Sequence, residues 1–547
     1  MTLLSMFFLL NILWFIWILK YVLFWLYLWQ LKEYHIGRFV DHFRTHSGKK
    51  LLLSFEQILK ICLLVFLFLI PSLFSFLFFV IFLIYFLRAL VFFRAIYLKS
   101  FKRPVRTFKT IFLASVYFAA LIIFLFWSFG LKDIDQPKWF LAFDILTPLI
   151  ISAIVLFFQP FFALIRTNTL KKAGKKLDKI KELSRIKVVA ITGSYGKTST
   201  KEFLTAILSK QFKILSTKEH QNSEIGIANC ILGSLKPSHQ IFIAEVGAYN
   251  KGKIKEVCEV LRPEIGIVTG VNEQHLALFG SLKNLLSAEG GGELAECLPK
   301  NGLLVLNGDN KYCLDLTKKN IDVAKKIYTI NKNYINSDIW TEDILVEKNS
   351  ISFLSVAKIN PPAGGKELGH FNVNVLGKQN VQNLLAAILV ARELGMSIGE
   401  ISEACKNIKQ EQAGMVLKHG KLGLNVVDSS YSANPDGVFA DLDYFSIFEN
   451  KKLVVMPCLI ELGPKSSAIH QKIGRRIAKV CDLAIITSKD KFEDLKQGFD
   501  SVINPGSKKI IFLENPEEIA TAITSFCKSG DAVLLEGRVP KKLHELL

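Results

Sequence analysis

The chain has 547 residues, half of them hydrophobic, and a formal charge of +20 at neutral pH. That length has room for three or more domains, and much of the basic excess flanks apolar runs rather than forming an aromatic-basic face, which favours a membrane protein over a nucleic-acid binder. The nine cysteines are scattered without paired spacing, so they support neither a disulfide framework nor structural zinc and read as free thiols in a reducing compartment.

Four hydrophobic stretches, near 3–29, 52–87, 110–130 and 140–164, are each long enough to cross a bilayer, which takes roughly 20 apolar residues. The first lacks a basic start and exceeds a signal-peptide core, so it reads as a retained helix. The second is interrupted at Pro71-Ser72 and is either one long tilted helix or a tight hairpin, giving four or five crossings. Arg88, Arg94, Lys99, Lys102, Arg103, Arg106 and Lys109 carry no acidic neighbour and mark a cytoplasmic loop. The 131–139 link, with Lys132, Asp133, Asp135 and Lys138, is balanced and reads as external; Arg166, Lys171, Lys172, Lys175 and Lys176 return the chain to the cytoplasm. Lys20, Glu56 and Lys60 lie near apolar stretches, where snorkelling at helix ends is expected.

From about 183 the texture changes to short apolar runs alternating with amphipathic helices, the pattern of a doubly wound α/β domain. Ile186-Lys187-Val188-Val189-Ala190 is a buried strand that enters the turn Thr192-Gly193-Ser194-Tyr195-Gly196-Lys197-Thr198. Glycines at 193 and 196 permit the tight turn, and free amides at the following helix start make an anion site. Lys197 adds charge for the outer phosphates and Thr198 a hydroxyl for magnesium. A second strand ends in Glu245, placed to hold magnesium beside the phosphate turn. A third leads through Asn272-Glu273-Gln274 to His275 at the same edge. Residues 325–375 look strand-rich and suggest a small appended sheet, with 361–365 as a loop tip.

Taken together, residues 192–198, Asn222-Ser223-Glu224-Ile225-Gly226, Ala244-Glu245-Val246-Gly247-Ala248 and His275-Leu276 with Phe279-Gly280-Ser281 resemble the Mur ligase family. Leu306-Asn307-Gly308-Asp309, the run 376–383, the run 428–435, and Glu461-Leu462-Gly463 with His470 continue the resemblance in the family's order, over about 185–547. The last group is most similar to the branch that adds D-alanyl-D-alanine to the muramoyl tripeptide. The resemblance implies ATP and Mg2+ as cofactors, an acyl phosphate formed on a muropeptide carboxylate, and attack on it by the amine of a dipeptide or amino-acid donor. It implies that Gly193, Ser194, Gly196, Lys197, Thr198 and Ser199 hold the phosphates, and that Asn380, Asp428, Tyr431, Asn434 and Pro435 contact the nucleotide. Thr198, Glu245 and His275 would serve the metal ions, with Lys197 and His275 catalytic.

Three positions depart from the family pattern. Gly291 occupies the place of a lysine whose carbamate bridges the second magnesium, leaving Glu289 or Glu293 to supply a carboxylate. Met415 follows Gly414 where a Gly-Arg pair is usual. Leu535-Glu536-Gly537-Arg538 replaces a basic Lys-Gly-Ser-Arg-like turn. Membrane segments also stand where the family's uridine-nucleotide domain is usual.

The expected architecture is an α-helical transmembrane domain (1–170), a central P-loop parallel-sheet α/β domain (171–410) and a C-terminal Rossmann-like α/β domain (411–547). The expected function is ATP-dependent amide ligation in peptidoglycan precursor synthesis at the cytoplasmic membrane. The ligase domains would face the cytoplasm and act on a nucleotide- or lipid-linked muropeptide, with no nucleic-acid partner. The alternative is a non-catalytic or regulatory ATP-binding membrane protein. Oligomeric state is not legible.

Overall fold

The computed structural model describes residues 3–546 apart from 53, 99–100, 132–134, 219–220, 273–274, 320, 335, 360–363, 432 and 503–507. Lys99, Lys132, Asp133, Glu273, Gln274, Ser432 and most of the 361–365 tip therefore lie outside the described residues. The chain divides into two compact units, residues 1–166 and 167–547.

The first unit is helical. Among the described residues five candidate spans are long and apolar enough to cross a membrane: Met6–Leu31, Gly48–Leu69, Phe74–Tyr97, Phe108–Phe129 and Gln136–Phe157. The stretch 52–87 is resolved into two of them, because a short turn at Pro71–Leu73 separates Phe55–Leu69 from Phe74–Tyr97, as expected where proline removes a backbone donor. Aromatic rings fill the interior. Trp14 stacks on Phe140 at 4.3 Å, and its indole N–H donates to the Phe140 carbonyl at 3.0 Å.

Arg88 and Arg94 lie within the helix Phe74–Tyr97, and Arg88 pairs with Glu56, which corrects their place in the cytoplasmic loop. Lys60 corrects the snorkelling expectation. Its side chain is fully buried and pairs with Asp144 at 2.6 Å and Glu56 at 2.9 Å. A buried amine in an apolar bundle persists only with opposite charge beside it, and Asp144, far away in sequence, supplies that charge.

The second unit holds two sheets. The first has nine strands: β1 (Lys187–Thr192), β2 (Ile214–Ser216), β3 (Ile241–Glu245), β4 (Ile265–Val268), β5 (Leu303–Asn307), β6 (Ala324–Thr329), β7 (Ile339–Val346), β8 (Ile351–Lys358) and β9 (Lys366–Val373). Their order is β2-β3-β1-β4-β5-β6-β7-β8-β9. Pairing is parallel as far as β7 and antiparallel for β7 with β8 and β8 with β9. The strand-rich 325–375 region thus extends the main sheet instead of forming a separate one. Because β1 lies between β3 and β4, the crossover direction reverses there, and a crevice opens at the carboxyl ends of these three strands.

The second sheet contains β10 (Val416–His419), β11 (Asn425–Ser429), β12 (Lys452–Met456), β13 (Leu483–Ile486), β14 (Lys509–Phe512) and β15 (Ala532–Glu536). Its order is β10-β11-β15-β12-β13-β14, parallel except for β10 with β11. The central parallel strands of both sheets are near-continuous apolar runs, whereas the antiparallel β9 alternates buried and exposed residues. The helix Gln379–Glu393 is buried along most of its length against the first sheet. All nine cysteines are free thiols.

Candidate active site

The turn after β1 is held open by backbone conformations that glycine permits. Gly193 has φ +140° and Gly196 φ +75°; a Cβ at either would press on Thr269 or Asn383. Gly196 precedes the helix Lys197–Leu208, whose first amides have no intrahelical acceptor. Lys197 Nζ donates to the Gly193 carbonyl at 2.5 Å, which lays the amine across the turn. Ser199 donates to the Ala413 carbonyl at 3.2 Å.

Glu245 ends β3 facing this turn. Its Oε2 accepts from Thr198 Oγ1 at 3.0 Å, and its Oε1 accepts from Asn222 Nδ2 at 3.1 Å. Below it lies a residue that motif reading missed. Lys201 is fully buried, donates to the Thr217 carbonyl at 2.8 Å and stands 3.7 Å from Glu245 Oε2. Its spacing from Lys197, one helical turn, was the available signal.

On the other side of the turn Ser194 Oγ donates to Glu289 Oε2 at 2.9 Å, and His275 Nδ1 lies 3.1 Å from Glu289 Oε1. Glu289 is buried. Burial by itself would raise its pKa, but His275, Lys197 and the Ser194 hydroxyl outweigh it and hold the carboxyl below the usual carboxylate range. His275 has φ +66°, and its Nε2 lies 3.7 Å from Glu461 Oε2. Glu461 follows the second sheet's β12, so groups from both α/β domains meet at this imidazole.

The glycine at 291 is not where a site side chain would project. It has φ +82° and caps the helix Gly292–Cys297, and a Cβ there would press on Val268 and come within 3.2 Å of Leu316. In this chain a Cβ at 291 would point into the core, and of the two carboxylates expected to substitute for the family's lysine it is Glu289 that reaches the glycine turn. Glu293 is excluded as the alternative, because its carboxylate accepts from the Gly252 and Lys255 amides at 2.7 and 3.0 Å. Met415 is likewise packed in the core of the second sheet.

The nucleotide-contact candidates are dispersed. Asn380 is buried, donating to the Leu376 carbonyl at 2.8 Å and accepting from Asn383 at 3.1 Å. Asn434 caps the helix Pro435–Phe445, whose first residue is Pro435, and also accepts from Asn272 Nδ2 at 3.1 Å. Asn272 donates as well to Asp436 at 2.8 Å, a second link between the two sheets that sequence reading did not single out. Asp428 pairs with Lys418 at 2.6 Å, and Tyr431 is 44% exposed. Burial opposes ionisation of Asp428, yet Lys418, Ser430 and His544 hold its pKa down. His470 is structural: its ring accepts from the Leu459 amide at 3.0 Å and contacts the Ser466 carbonyl at 2.6 Å. Among the described residues no three His, Cys, Asp or Glu side chains form a ready-made metal cage. That suits ions that draw their remaining ligands from phosphate and water.

Residues 191–391 match the Mur ligase middle domain, and residues 415–539 match the Mur ligase glutamate ligase domain. The chain is similar to UDP-N-acetylmuramoyl-tripeptide--D-alanyl-D-alanine ligase of Escherichia coli (strain K12), 30% identical over 292 residues, which cover 53% of this chain and 61% of that one. The Haemophilus influenzae protein of the same name is 27% identical over 302 residues, covering 54% and 63%. The chain thus spans about three fifths of the length of these curated relatives. Crystal structure I of MurF from Acinetobacter baumannii superposes with a TM-score of 0.60 at 21% identity, covering 70% of this chain and 79% of that one. The MurF ligase from Thermotoga maritima in complex with ADP gives 0.56 at 22%, covering 70% and 83%. These structures share the fold.

Proposed function

From a chain that belongs, over 191–391 and 415–539, to the Mur ligase family, we propose an ATP-dependent amide ligase of peptidoglycan precursor synthesis. It activates a muramoyl-peptide carboxylate for attack by the amine of D-alanyl-D-alanine or a similar donor. One observation carries this reading. The glycine turn and Lys197 lie between two carboxylates, Glu245 held by Thr198 and Glu289 held by Ser194 and His275.

Each group has a task in that reaction. The turn amides and Lys197 hold the outer phosphates of ATP and offset the charge that spreads over the transferring phosphoryl group. Thr198 and Glu245 would hold one magnesium ion and Glu289 with His275 a second, supplying further charge neutralisation. A substrate carboxylate oxygen attacks the γ-phosphorus, and the bond to the β-phosphate oxygen breaks with its electron pair leaving on ADP. The donor amine then attacks the acyl carbon, and inorganic phosphate leaves the tetrahedral adduct. Glu289 provides as an encoded side chain the carboxylate that the family resemblance assigns to a modified lysine. Asn272 with Asn434 and Asp436, and His275 with Glu461, support closure of the second sheet's domain over the crevice.

The five apolar helices support membrane association, and the basic loops support a cytoplasmic position for the ligase domains. The working division is 1–170, 171–410 and 411–547. We read the acceptor as lipid-linked, since membrane helices precede the matched region. Full-length protein, incubated with ATP, magnesium, D-alanyl-D-alanine and either nucleotide- or lipid-linked muramoyl tripeptide, is expected to release ADP and form a new amide detectable by mass. Lys197→Ala should abolish both. ATP binding without turnover on any acceptor would overturn the ligase reading in favour of a regulatory ATP-binding protein, for which the burial of Met415 in place of an arginine is the supporting observation.

A further inference from the structure

Three cations surround one indole in the helical unit. Lys20 Nζ, Lys60 Nζ and Arg88 Cζ lie 5.3, 4.9 and 5.1 Å from the Trp17 ring centroid. Two carboxylates accompany them. Asp144 accepts from Lys60 at 2.6 Å, Tyr85 at 3.0 Å and Trp17 at 3.1 Å, while Glu56 pairs with Lys60 at 2.9 Å and with Arg88. Three positive charges therefore face two negative ones. Among the described residues no carboxylate pairs with Lys20, whose neighbour in charge is Arg88.

A cluster serving only to hold helices together would need Lys60 and Asp144, or two balanced pairs, and nothing more. Lys20 is half-buried. Lys60 and Asp144 are sealed, whereas the Glu56 and Arg88 side chains are 18% and 33% exposed. Lys20 lies eleven residues before the end of its helix at Leu31, and Arg88 nine before Tyr97, roughly 14–16 Å along the axis. A net positive charge at that depth in hydrocarbon is costly unless an anion neutralises it. A free inorganic ion would have to cross hydrocarbon alone, whereas a lipid brings its anion with its own chain.

We propose that Lys20 and Arg88 form a binding site for the phosphate group of an anionic lipid, seated at the open side of the Trp17 cluster. Arg88 offers a planar fork suited to phosphate oxygens, and Lys20 supplies the charge that the two carboxylates leave unbalanced. The proposal rests on the reading of this unit as membrane-spanning, and it gives a lipid-linked acceptor a place to be held.

The test uses the full chain, expressed in membranes and then purified in detergent, with native mass spectrometry and thermal shift. Polyprenyl phosphate, phosphatidylglycerol, phosphatidylcholine and inorganic phosphate are the probes. An anionic phosphate lipid should be retained by the native chain and lost at least tenfold in Lys20→Gln with Arg88→Gln, while Lys20→Arg keeps it. Lys20→Gln alone leaves both carboxylate pairs intact, so a native-like melting temperature in detergent shows that it keeps its fold, and it should itself lose the lipid. Equal lipid retention in native and double-variant protein overturns the proposal, as does a response to inorganic phosphate only. Release of the chain from membranes by alkaline carbonate would instead sink the membrane-spanning reading itself.

Discussion

Glu289 and His275 lie 3.1 Å apart, with Ser194 of the glycine turn 2.9 Å from the other carboxylate oxygen. This places an ionised, enclosed carboxylate directly across from Lys197. Glu289→Gln retains the volume and a hydrogen bond but removes the charge. Turnover should fall by about 10²–10³-fold, the scale for losing one preorganised electrostatic group. Titration with Mn2+ in the presence of ATP should show one bound ion fewer. Because the carboxylate is encoded, removal of bicarbonate should leave native turnover unchanged; a bicarbonate requirement would contradict this role. The pH sign follows from its depressed pKa. Its contribution to stability is present above the unfolded value near 4.3 and is lost as pH falls through the lower folded value, so the variant should show a weaker acid limb in melting temperature.

Position 291 is closed to side chains. Its φ of +82° and the Val268 and Leu316 side chains facing its Cβ direction leave no room for a side chain. Gly291→Ala should destabilise by about 1–3 kcal/mol, combining left-handed strain and overpacking, measured as a lowered melting temperature. Gly291→Lys should be at least as damaging and should leave the metal count unchanged. A stable, functional lysine variant with an added bound ion would show instead that position 291 opens onto the site.

Glu536 ends β15 beside Asp441, both buried, and Asp441 accepts from Ser429 at 2.5 Å and from Gln379 at 3.0 Å. Burial, followed by the Asp441 charge, raises the Glu536 pKa well above the ordinary value. The folded chain therefore keeps a proton that the unfolded chain releases above about 4.3, and stability declines as pH rises from there toward the folded value. Glu536→Gln cannot ionise and should escape this decline. Its melting temperature relative to the native protein should climb between pH 5 and 8, and parallel curves would refute the raised pKa of Glu536.

Asp144→Ala should cost about 3–5 kcal/mol, because it removes the sealed partner of the Lys60 ammonium and the acceptor of Trp17 and Tyr85, leaving only the partly exposed Glu56 beside the lysine. Adding Lys60→Met should recover part of the loss, since it removes the under-compensated buried charge and keeps similar volume, while Glu56 keeps Arg88 as its partner. Retention of monodisperse protein after heating in detergent reports the order of the three. A double variant no better than Asp144→Ala would show that the pair is not the source of the cost.

Legibility differed by how local the determinant was. The glycine turn could be read because Gly193 and Gly196 sit three residues apart at a strand-to-helix junction, and both adopt positive φ. The break in 52–87 was visible as Pro71, though its resolution into two helices was not. The choice between Glu289 and Glu293 was hidden, because the three glycines at 290–292 give no pattern that fixes which side chain faces the crevice. Lys60 looked like a snorkelling residue because its own flank is apolar, and its partner Asp144 lies on a different helix.

By itself the sequence determined the apolar helices, the alternation of strands and helices, and the glycine turn with its lysine, threonine and family motifs. Each of these depends on residues a few positions apart: bilayer-length hydrophobicity, backbone freedom at glycine, and period. Tertiary structure alone decided which carboxylate stands opposite Glu245, that Met415 is a core residue, and that the charge at Lys60 is paired. Those outcomes rest on groups such as Ser194 and Glu289, 95 residues apart. Burial drives such partners together, because an unpaired buried charge costs more than the pairing gains in water.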